Sequence, residues 1–355
     1  MITLRGLDSA GEIWPIVARE VGLSMQGEKI ANVRYNTCTL IERQRRDFGM
    51  GRKTVADYVI VGAGSAGCVL ARRLCERGAS VLLLEAGGRE ALSTSPKGII
   101  SRLPTALAMP MHHESYNWGY VAEAEPALEG RIVSCPRGKG VGGSSAINGM
   151  VYVRGHARDY DSWDATLGTD DPYRWDAAHT LPYFRRMESV CEGGAAADDH
   201  DDLPGRRGRD GPLHVSHGKN ALLTPLYDAF RRAGGEAGYG ANADYNGCRQ
   251  EGLSAMPMTV FHSGARMGER CSTAAAYLEP TMENFPDLLT LVTDITARRV
   301  LWHGESDGPV GTAGAALPRA IGVEVAAPNG ELGSYYANKE VIVAAGAIAS
   351  SPYFP

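Results

Sequence analysis

Two apolar runs joined by a glycine turn and a helical segment constrain the fold of this chain more than any other feature. Residues 56–61 (ADYVIV) form a short apolar run that is typical of a buried parallel strand. The turn at 62–67 (GAGSAG) follows directly, and residues 65–77 predict a helix with Ala, Val and Leu on one side. Residues 80–85 (SVLLLE) predict a second strand. This order predicts a βαβ unit, and therefore an α/β fold built on a parallel sheet.

Each glycine of the turn has its own role in holding a dinucleotide. Gly62 permits the tight turn, Gly64 lets the backbone approach a pyrophosphate, and Gly67 lets helix and strand pack closely. The start of the helix offers free N–H groups and a positive dipole end to phosphates. Glu85 lies 18 positions after Gly67, at the end of the second strand, where a carboxylate accepts hydrogen bonds from ribose hydroxyls. The motif fits FAD and NAD equally, whereas Glu85 disfavours the 2′-phosphate of NADP.

Composition and charge exclude several other classes of protein. The formal net charge is −5, so no basic field predicts a nucleic-acid partner. The seven cysteines form no C-x-x-C pair, which argues against a zinc site or a disulfide framework. The sequence has no run of about 18 apolar residues and no secretory leader. These features predict a cytoplasmic protein without a bound metal.

The remaining sequence predicts fewer regular elements. Apolar runs predict three further strands, at 288–293, 320–326 and 340–345. Residues 220–238 predict a helix, because leucines and Phe230 recur along it. Residues 157–213 are polar and predict irregular structure, and the Gly-, Ala-, Asp- and Arg-rich stretch 193–211 predicts a mobile surface loop.

A second glycine-rich block lies at residues 136–155 (PRGKGVGGSSAINGMVYVRG). Backbone N–H groups in such a loop suit a pyrophosphate or a reduced, anionic flavin ring. A solvated Gly/Ser linker is the alternative, but Val141, Ile147 and Met150 make the block too apolar for that. We therefore predict a loop that brings backbone N–H groups to such a ligand.

Residues 138–161 resemble, along their whole length, the first signature of the glucose–methanol–choline (GMC) oxidoreductase family. The similarity extends from about residue 55 to 351, and its choline-oxidising members are the most similar. It implies a Rossmann-like FAD-binding domain (βαβ, parallel sheet) over 54–351, with part of a second α+β substrate domain within about 157–285. It also implies FAD-dependent oxidation of an alcohol by hydride transfer to flavin. The expected reaction converts choline to betaine aldehyde, in glycine betaine synthesis.

The resemblance also implies which residues contact FAD. The pyrophosphate and the adenosine ribose would be held by Gly62, Ala63, Gly64, Ser65, Gly67, Glu85 and Ala86. The flavin would lie near Asn117 and Trp118. The isoalloxazine and its ribityl chain would be wrapped by Val141, Gly142, Gly143, Ser144, Ser145, Asn148, Gly149, Met150 and Val151. The adenine would be contacted by the backbone at Ala297, and the site would be closed by Gly346 and Ala347. Some family members attach FAD through a histidine at the position of Ile147, so the resemblance implies non-covalent FAD here.

The sequence departs from the family at its end. The second family signature begins at 346–350, Ser351 replaces the usual proline, and the chain stops at Pro355. None of the nine histidines matches the family's catalytic one, and we expect each to be structural or exposed. We therefore expect the C-terminal substrate and catalytic domain to be missing, no catalytic residue to be present, and little alcohol oxidation by this chain alone.

Several alternatives stay open. The substrate could be another primary alcohol or a polyol, because the resemblance leaves the cation pocket for choline outside this chain. The chain could instead be a non-catalytic nucleotide-binding remnant, or a subunit completed by a separate C-terminal chain. The resemblance does not cover residues 1–53. They form either an N-terminal extension or, if translation begins at Met50, a segment upstream of the true start. The electron acceptor is unknown, and a respiratory acceptor would favour peripheral association with the inner membrane.

Overall fold

A computed structural model of the chain describes residues 55–168, 174–191, 207–217, 225–247, 249–303 and 319–351. The segment 1–53, with its predicted extension, lies outside these ranges, as does most of the predicted loop 193–211. No helix within the described ranges is long and apolar enough to cross a membrane.

The described ranges contain eleven strands and eight α-helices. The strands are β1 (Val55–Val61), β2 (Val81–Leu84), β3 (Tyr120–Val121), β4 (Ser134–Cys135), β5 (Glu188–Val190), β6 (Leu213–His217), β7 (Pro257–Met258), β8 (Leu289–Val292), β9 (Thr296–Trp302), β10 (Ala320–Ala326) and β11 (Leu332–Val343). The α-helices are α1 (Ser65–Cys75), α2 (Pro96–Arg102), α3 (Ala108–His112), α4 (Ala157–Leu167), α5 (Ala177–Met187), α6 (Pro225–Glu236), α7 (Glu279–Asn284) and α8 (Gly346–Ala349). A π-helical turn, Ala274–Leu278, precedes α7.

The main sheet has six strands in the order β8-β2-β1-β11-β10-β9. The first four strands are parallel, and β10 pairs antiparallel with both β11 and β9. Parallel pairing brings the carboxyl ends of β1, β2 and β11 to one edge, where ligands bind in open α/β sheets. The βαβ unit and the α/β, Rossmann-like class predicted from the sequence are confirmed.

Both faces of the parallel strands are buried, which explains their continuous apolar runs. On one face, Ile60 and Leu83 pack in a cluster with Cys68 and Ala71 of α1. On the other face, Val59 and Leu82 pack with Val323 of β10. Successive strand residues point to opposite faces, so the two clusters alternate along the same strands.

The strand predicted at 340–345 is only the end of a longer one. β11 covers Leu332–Val343, and its first half pairs antiparallel with β10 while its second half pairs parallel with β1. Asn338, Lys339 and Glu340 interrupt the apolar pattern in the middle of β11, so the apolar run at its end indicates only part of the strand. The strands predicted at 288–293 and 320–326 are confirmed as β8 and β10, and α6 confirms the described part of the helix predicted at 220–238.

The prediction of irregular structure over 157–213 is wrong. Helices α4 and α5 occupy most of its described part, although neither buries a residue fully. Their starts are capped locally: the His156 ring accepts a hydrogen bond from the Arg158 amide, and the Asp176 carboxylate accepts one from the His179 amide. Capping stabilises such helices, whose residues are polar on average.

A smaller sheet, β5-β6-β7, follows these helices in the chain. It borders a buried group of charges: Glu188 bonds to both Arg154 and Arg207, and Arg207 also pairs with Asp244 at 2.6 Å. The surface-loop prediction for 193–211 is therefore wrong at its described end, because the Arg207 side chain is only 7% exposed.

Candidate dinucleotide-binding site

A cleft of about 750 Å³ lies at the carboxyl edge of β1, β2 and β11. Its size falls within the range of about 300–1,000 Å³ that is usual for cofactor sites. The strand ends Val61 and Leu84 line it, together with Ala344, which follows β11. Further walls come from Ile295–Arg298, residues 345–350, and a layer formed by Trp118, Tyr120, Arg137, Gly138, Gly143 and Ser144.

The glycine turn after β1 forms the floor of this cleft, and two of its glycines have no room for a side chain. Gly62 has φ of +100°, and a Cβ there would lie 2.6 Å from the Ala344 carbonyl oxygen. A Cβ on Gly67 would lie 1.9 Å from the Gly62 carbonyl oxygen. Gly64 caps α1 without a side-chain hydrogen bond, and Ser65 and Ala66 line the cleft. The first amides of α1 are therefore free to bind an anion.

Glu85 joins the glycine turn to the second glycine block. Its Oε2 accepts a hydrogen bond from the Ala63 amide at 2.9 Å. Its Oε1 accepts from the Gly87 amide at 2.9 Å and from the Gly140 amide at 3.0 Å. Burial raises the pKa of the Glu85 carboxyl, although these three hydrogen bonds oppose the rise. Oε1 has both lone pairs occupied, so Oε2 is the oxygen with capacity left for a ribose hydroxyl.

The two glycine motifs, which were predicted separately, are in direct contact. A Cβ on Gly143 would lie 2.8 Å from the Gly64 Cα, so glycine is required where the two loops meet. The Gly142 amide donates to the Ala63 carbonyl at 2.8 Å. Residues Gly143–Ala146 then form a 3₁₀ turn whose first members line the cleft. Part of the second block therefore lines the cleft, through Gly138, Gly143 and Ser144.

Asn117 and Trp118 have different positions at the cleft. Asn117 is buried, its Oδ1 accepts from the amides of Gly119 and Arg137, and its Nδ2 donates to the Met111 carbonyl at 2.7 Å. It therefore shapes the loop that presents Trp118. Trp118 lines the cleft and stacks on Tyr120 with ring centroids 6.0 Å apart.

The structure brings about half of the predicted cofactor residues to the cleft. Those that line it are Gly62, Gly64, Ser65, Glu85, Ala86, Trp118, Gly143, Ser144, Ala297, Gly346 and Ala347. Those that do not line it are Ala63, Gly67, Asn117, Val141, Gly142, Ser145, Asn148, Gly149, Met150 and Val151. Ala63, Gly67 and Asn117 support the lining residues through the contacts above. The roles proposed for individual residues stay predictions.

Several cleft residues were missed by the sequence reasoning. Tyr120 and Arg298 lie in no motif, and Arg137 lies in the second glycine block but was given no role. They reach the cleft because β3, β9 and the second block converge there. Arg270 was also missed: it is buried, and its Nη1 donates to the Asn148 carbonyl at 2.6 Å. Its position directly before the largely apolar run 271–278 was the sequence signal that could have indicated a buried arginine. No histidine within the described ranges lines the cleft.

The fold and the cleft together define a member of a known family. The chain belongs to the GMC oxidoreductase family, whose model matches residues 56–354. It is 46% identical over 297 residues to the oxygen-dependent choline dehydrogenase of Vibrio vulnificus, covering 83% of this chain and 46% of the relative. The enzyme of the same name from Photobacterium profundum is 44% identical, with 84% and 45% covered. The chain thus spans about half the length of these curated relatives.

Solved structures show the same fold. Pyridoxine 4-oxidase from Mesorbium loti is 29% identical with a TM-score of 0.66, covering 83% of this chain and 50% of that one. An FAD-dependent oxidoreductase from Chaetomium thermophilum is 26% identical with a TM-score of 0.67, covering 84% and 46%. A formate oxidase at 23% identity and a TM-score of 0.68 shares the fold, with 85% and 47% covered.

Proposed function

We propose that this chain binds FAD non-covalently in the cleft and forms the flavin-holding part of an alcohol oxidoreductase. The observation that carries the proposal is the direct contact between the two glycine motifs. Glu85 bonds to the Gly140 amide of the second motif, and the backbones of Gly64 and Gly143 touch. One motif alone fits any dinucleotide. Two motifs facing one elongated cleft provide for both a pyrophosphate and a second, flavin-bearing half.

The residues present fit such a group. The floor of the cleft presents the first amides of α1. It also presents backbone atoms at Gly62 and Gly67 that a side chain would cover. The side chains that line the cleft include two cations, Arg137 and Arg298, and one acid, Glu85, which suits a ligand with two phosphate charges. The predicted domain limits, 54–351 with substrate segments within about 157–285, belong to this proposal.

We further propose choline as the substrate and betaine aldehyde as the product. The relatives at 46% and 44% identity, both called oxygen-dependent choline dehydrogenase, support this choice. Bound FAD would accept the hydride that leaves the alcohol carbon. The chain's own residues would hold the cofactor, and Trp118 and Tyr120 would cover part of it from water.

The decisive experiment is a visible absorption spectrum of the purified chain after incubation with FAD and gel filtration. A flavin band that travels with the protein is expected, and NAD⁺ in excess should not displace it. A chain that retains no flavin, or that exchanges it for NAD⁺, would contradict the proposal. Acid precipitation tests the linkage, because Ile147 cannot attach FAD. All yellow colour should enter the supernatant, and colour in the pellet would contradict non-covalent binding.

The substrate is tested by anaerobic mixing of the FAD-loaded chain with choline, and separately with pyridoxine as a neutral alcohol. Bleaching should be slow, because we expect little alcohol oxidation by this chain alone, but choline should bleach the flavin band faster than pyridoxine. The opposite order would favour another alcohol of the same family. Binding of FAD without bleaching by any alcohol would favour either a non-catalytic nucleotide-binding remnant or a subunit that a separate C-terminal chain completes.

A further inference from the structure

Arg270 is a buried cation beside the second glycine block. Only 2% of it is exposed, and no carboxylate in the described part of the chain pairs with it. Burial lowers the pKa of its guanidinium to about 10, which still leaves it charged at neutral pH. A buried charge without a counter-ion is costly, so its presence requires an explanation.

The Arg270 guanidinium donates hydrogen bonds to carbonyl oxygens of the second glycine block. Its Nη1 donates to the Asn148 carbonyl at 2.6 Å, to Asn148 Oδ1 at 2.9 Å and to the Ser145 carbonyl at 3.4 Å. Its Nε donates to the Ser101 carbonyl at 3.0 Å. Its Nη2 is buried and has no hydrogen-bond partner among the described residues. Every acceptor it contacts is neutral, so its positive charge is not compensated by these bonds.

Glu85 bonds to the same block at a position nearer its start. The carboxylate accepts from the Gly140 amide, whereas the guanidinium donates to the carbonyls of Ser145 and Asn148. The segment after Arg270 adds a further attachment, because the Thr273 amide donates to Ser145 Oγ at 3.0 Å. The block therefore bonds to a buried anion at Gly140 and to a buried cation at Ser145 and Asn148.

We propose that Arg270 is a positioning residue of the flavin site that also favours the reduced cofactor electrostatically. It would set the backbone of Ser145 and Asn148, which follows the cleft-lining residues Gly143 and Ser144. Its uncompensated charge would stabilise flavin bound against Gly143 and Ser144 in the reduced, anionic form. Reduction adds two electrons and one proton to the oxidised ring and so leaves one extra negative charge. The proposal rests on the proposed function, since it requires FAD in the cleft.

The charge is tested by measuring flavin reduction in the FAD-loaded chain, equilibrated with a reference dye and dithionite. In Arg270→Met the ratio of oxidised to reduced flavin at a fixed dye ratio should rise about tenfold or more, which is about 30 mV for a two-electron couple. Arg270→Lys keeps the charge and should stay within about threefold of the unaltered chain, or about 15 mV. Arg270→Gln replaces the Met variant if that variant does not retain flavin.

A matched control removes a different arginine from the same segment. Arg266 pairs with Glu269 at 2.9 Å and with Glu279, so its charge is already balanced. Arg266→Met changes the net charge as Arg270→Met does, yet it should leave the reduction ratio unchanged. Equal shifts in both variants would attribute the effect to net charge and overturn the proposal for Arg270.

The hydrogen bonds are tested separately by titrating the apo-chain with FAD and following its fluorescence. Both Arg270→Lys and Arg270→Met should weaken FAD binding, because neither keeps the planar group of donors that holds Asn148 and Ser145. Unchanged FAD affinity and an unchanged reduction ratio in both variants would overturn the proposal while leaving the proposed function intact. Failure of the unaltered chain to bind FAD would overturn the proposed function itself, and this proposal with it.

Discussion

The carboxylate of Glu85 accepts a hydrogen bond from the Ala63 amide at 2.9 Å, and this contact links the end of β2 to the turn that follows β1. The same carboxylate reaches the Gly140 amide, 55 positions away in the sequence. Glu85 is thus an anchor for both glycine loops as well as a candidate ribose ligand. The two roles are compatible, because the second lone pair of Oε2 stays available to the cleft.

Replacing Glu85 with Gln should weaken FAD binding about 10- to 100-fold. The amide keeps the size of the side chain, but its NH₂ group would face a backbone N–H that now donates to the carboxylate. Hydrogen bonds to a charged group are each worth about 1.5–3 kcal/mol, which corresponds to this loss of affinity. Fluorescence titration of the apo-chain with FAD measures it.

Glu76→Gln is the matched control for that change. Glu76 lies at the end of α1 and pairs on the surface with Arg72 and Arg73. Exposed pairs contribute about 0–1 kcal/mol, so FAD affinity should not change. Equal losses in the two variants would show that the effect at Glu85 is not specific to the glycine loops.

Local patterns predicted the first half of this site well. The strand, the turn at Gly62–Gly67, the helix and the acid at the end of β2 lie within 31 consecutive positions, 55–85. Each part of that unit restricts which residues can occupy it; the positive φ at position 62, for example, favours glycine. A short unit with these requirements can be inferred from residue order alone.

The contacts between distant segments could not be inferred in the same way. Nothing in the sequence indicates that Gly143 touches Gly64, or that Arg270 reaches Asn148 across 122 positions. Such contacts depend on how strands are ordered in the sheet and on how loops cross its edge. The prediction missed the helices over 157–187 for another reason: both segments are polar on average, and Pro182 lies inside α5, where proline disfavours a helix.

Replacing Gly67 with Ala should prevent FAD binding and destabilise the fold by at least about 1–3 kcal/mol, because the new Cβ would overlap the Gly62 carbonyl oxygen. Gly235→Ala is the control within α6, where the added Cβ meets nothing within 4 Å. Alanine is favoured over glycine in a helix by about 1 kcal/mol, so this variant should be as stable as the unaltered chain or more so. Urea denaturation measures both, and equal stability of the two variants would contradict the packing argument.

Replacing Glu188 with Gln should destabilise the fold by about 3–5 kcal/mol, because it removes the buried negative charge that pairs with both Arg154 and Arg207, although Arg207 keeps its pair with Asp244. Burial alone would raise the pKa of Glu188, but hydrogen bonds from Arg207 and the charge of Arg154 hold it below its ordinary value. Glu324→Gln is the control, since Glu324 forms a surface pair with Arg299 at 3.5 Å. It should cost no more than about 1 kcal/mol in urea denaturation, and a similar small loss at Glu188 would contradict a charge role for the cluster.

Stability should fall as the pH is lowered from about 7.5 to 5.5, in part because of His214. Burial and the charge of neighbouring His262 lower the pKa of His214 below its ordinary value of about 6.5. The unfolded chain therefore binds a proton more readily than the folded chain, so the contribution of His214 is complete above that value and is lost as the pH falls through the folded pKa. The His214 Nδ1 is buried and has no hydrogen-bond partner in the described part of the chain, so protonation would add a donor with no acceptor there.

His214→Gln should accordingly reduce the pH dependence of the urea midpoint over this range. His303→Gln removes an exposed histidine at the end of β9 and should leave the dependence unchanged. Glu85 and Glu279, whose pKa values are raised by burial, act in the opposite direction in acid, so the comparison between variants isolates the histidine contribution. If His214→Gln keeps the full pH dependence of the unaltered chain, the loss of stability in acid arises from other groups and the role assigned to His214 is wrong.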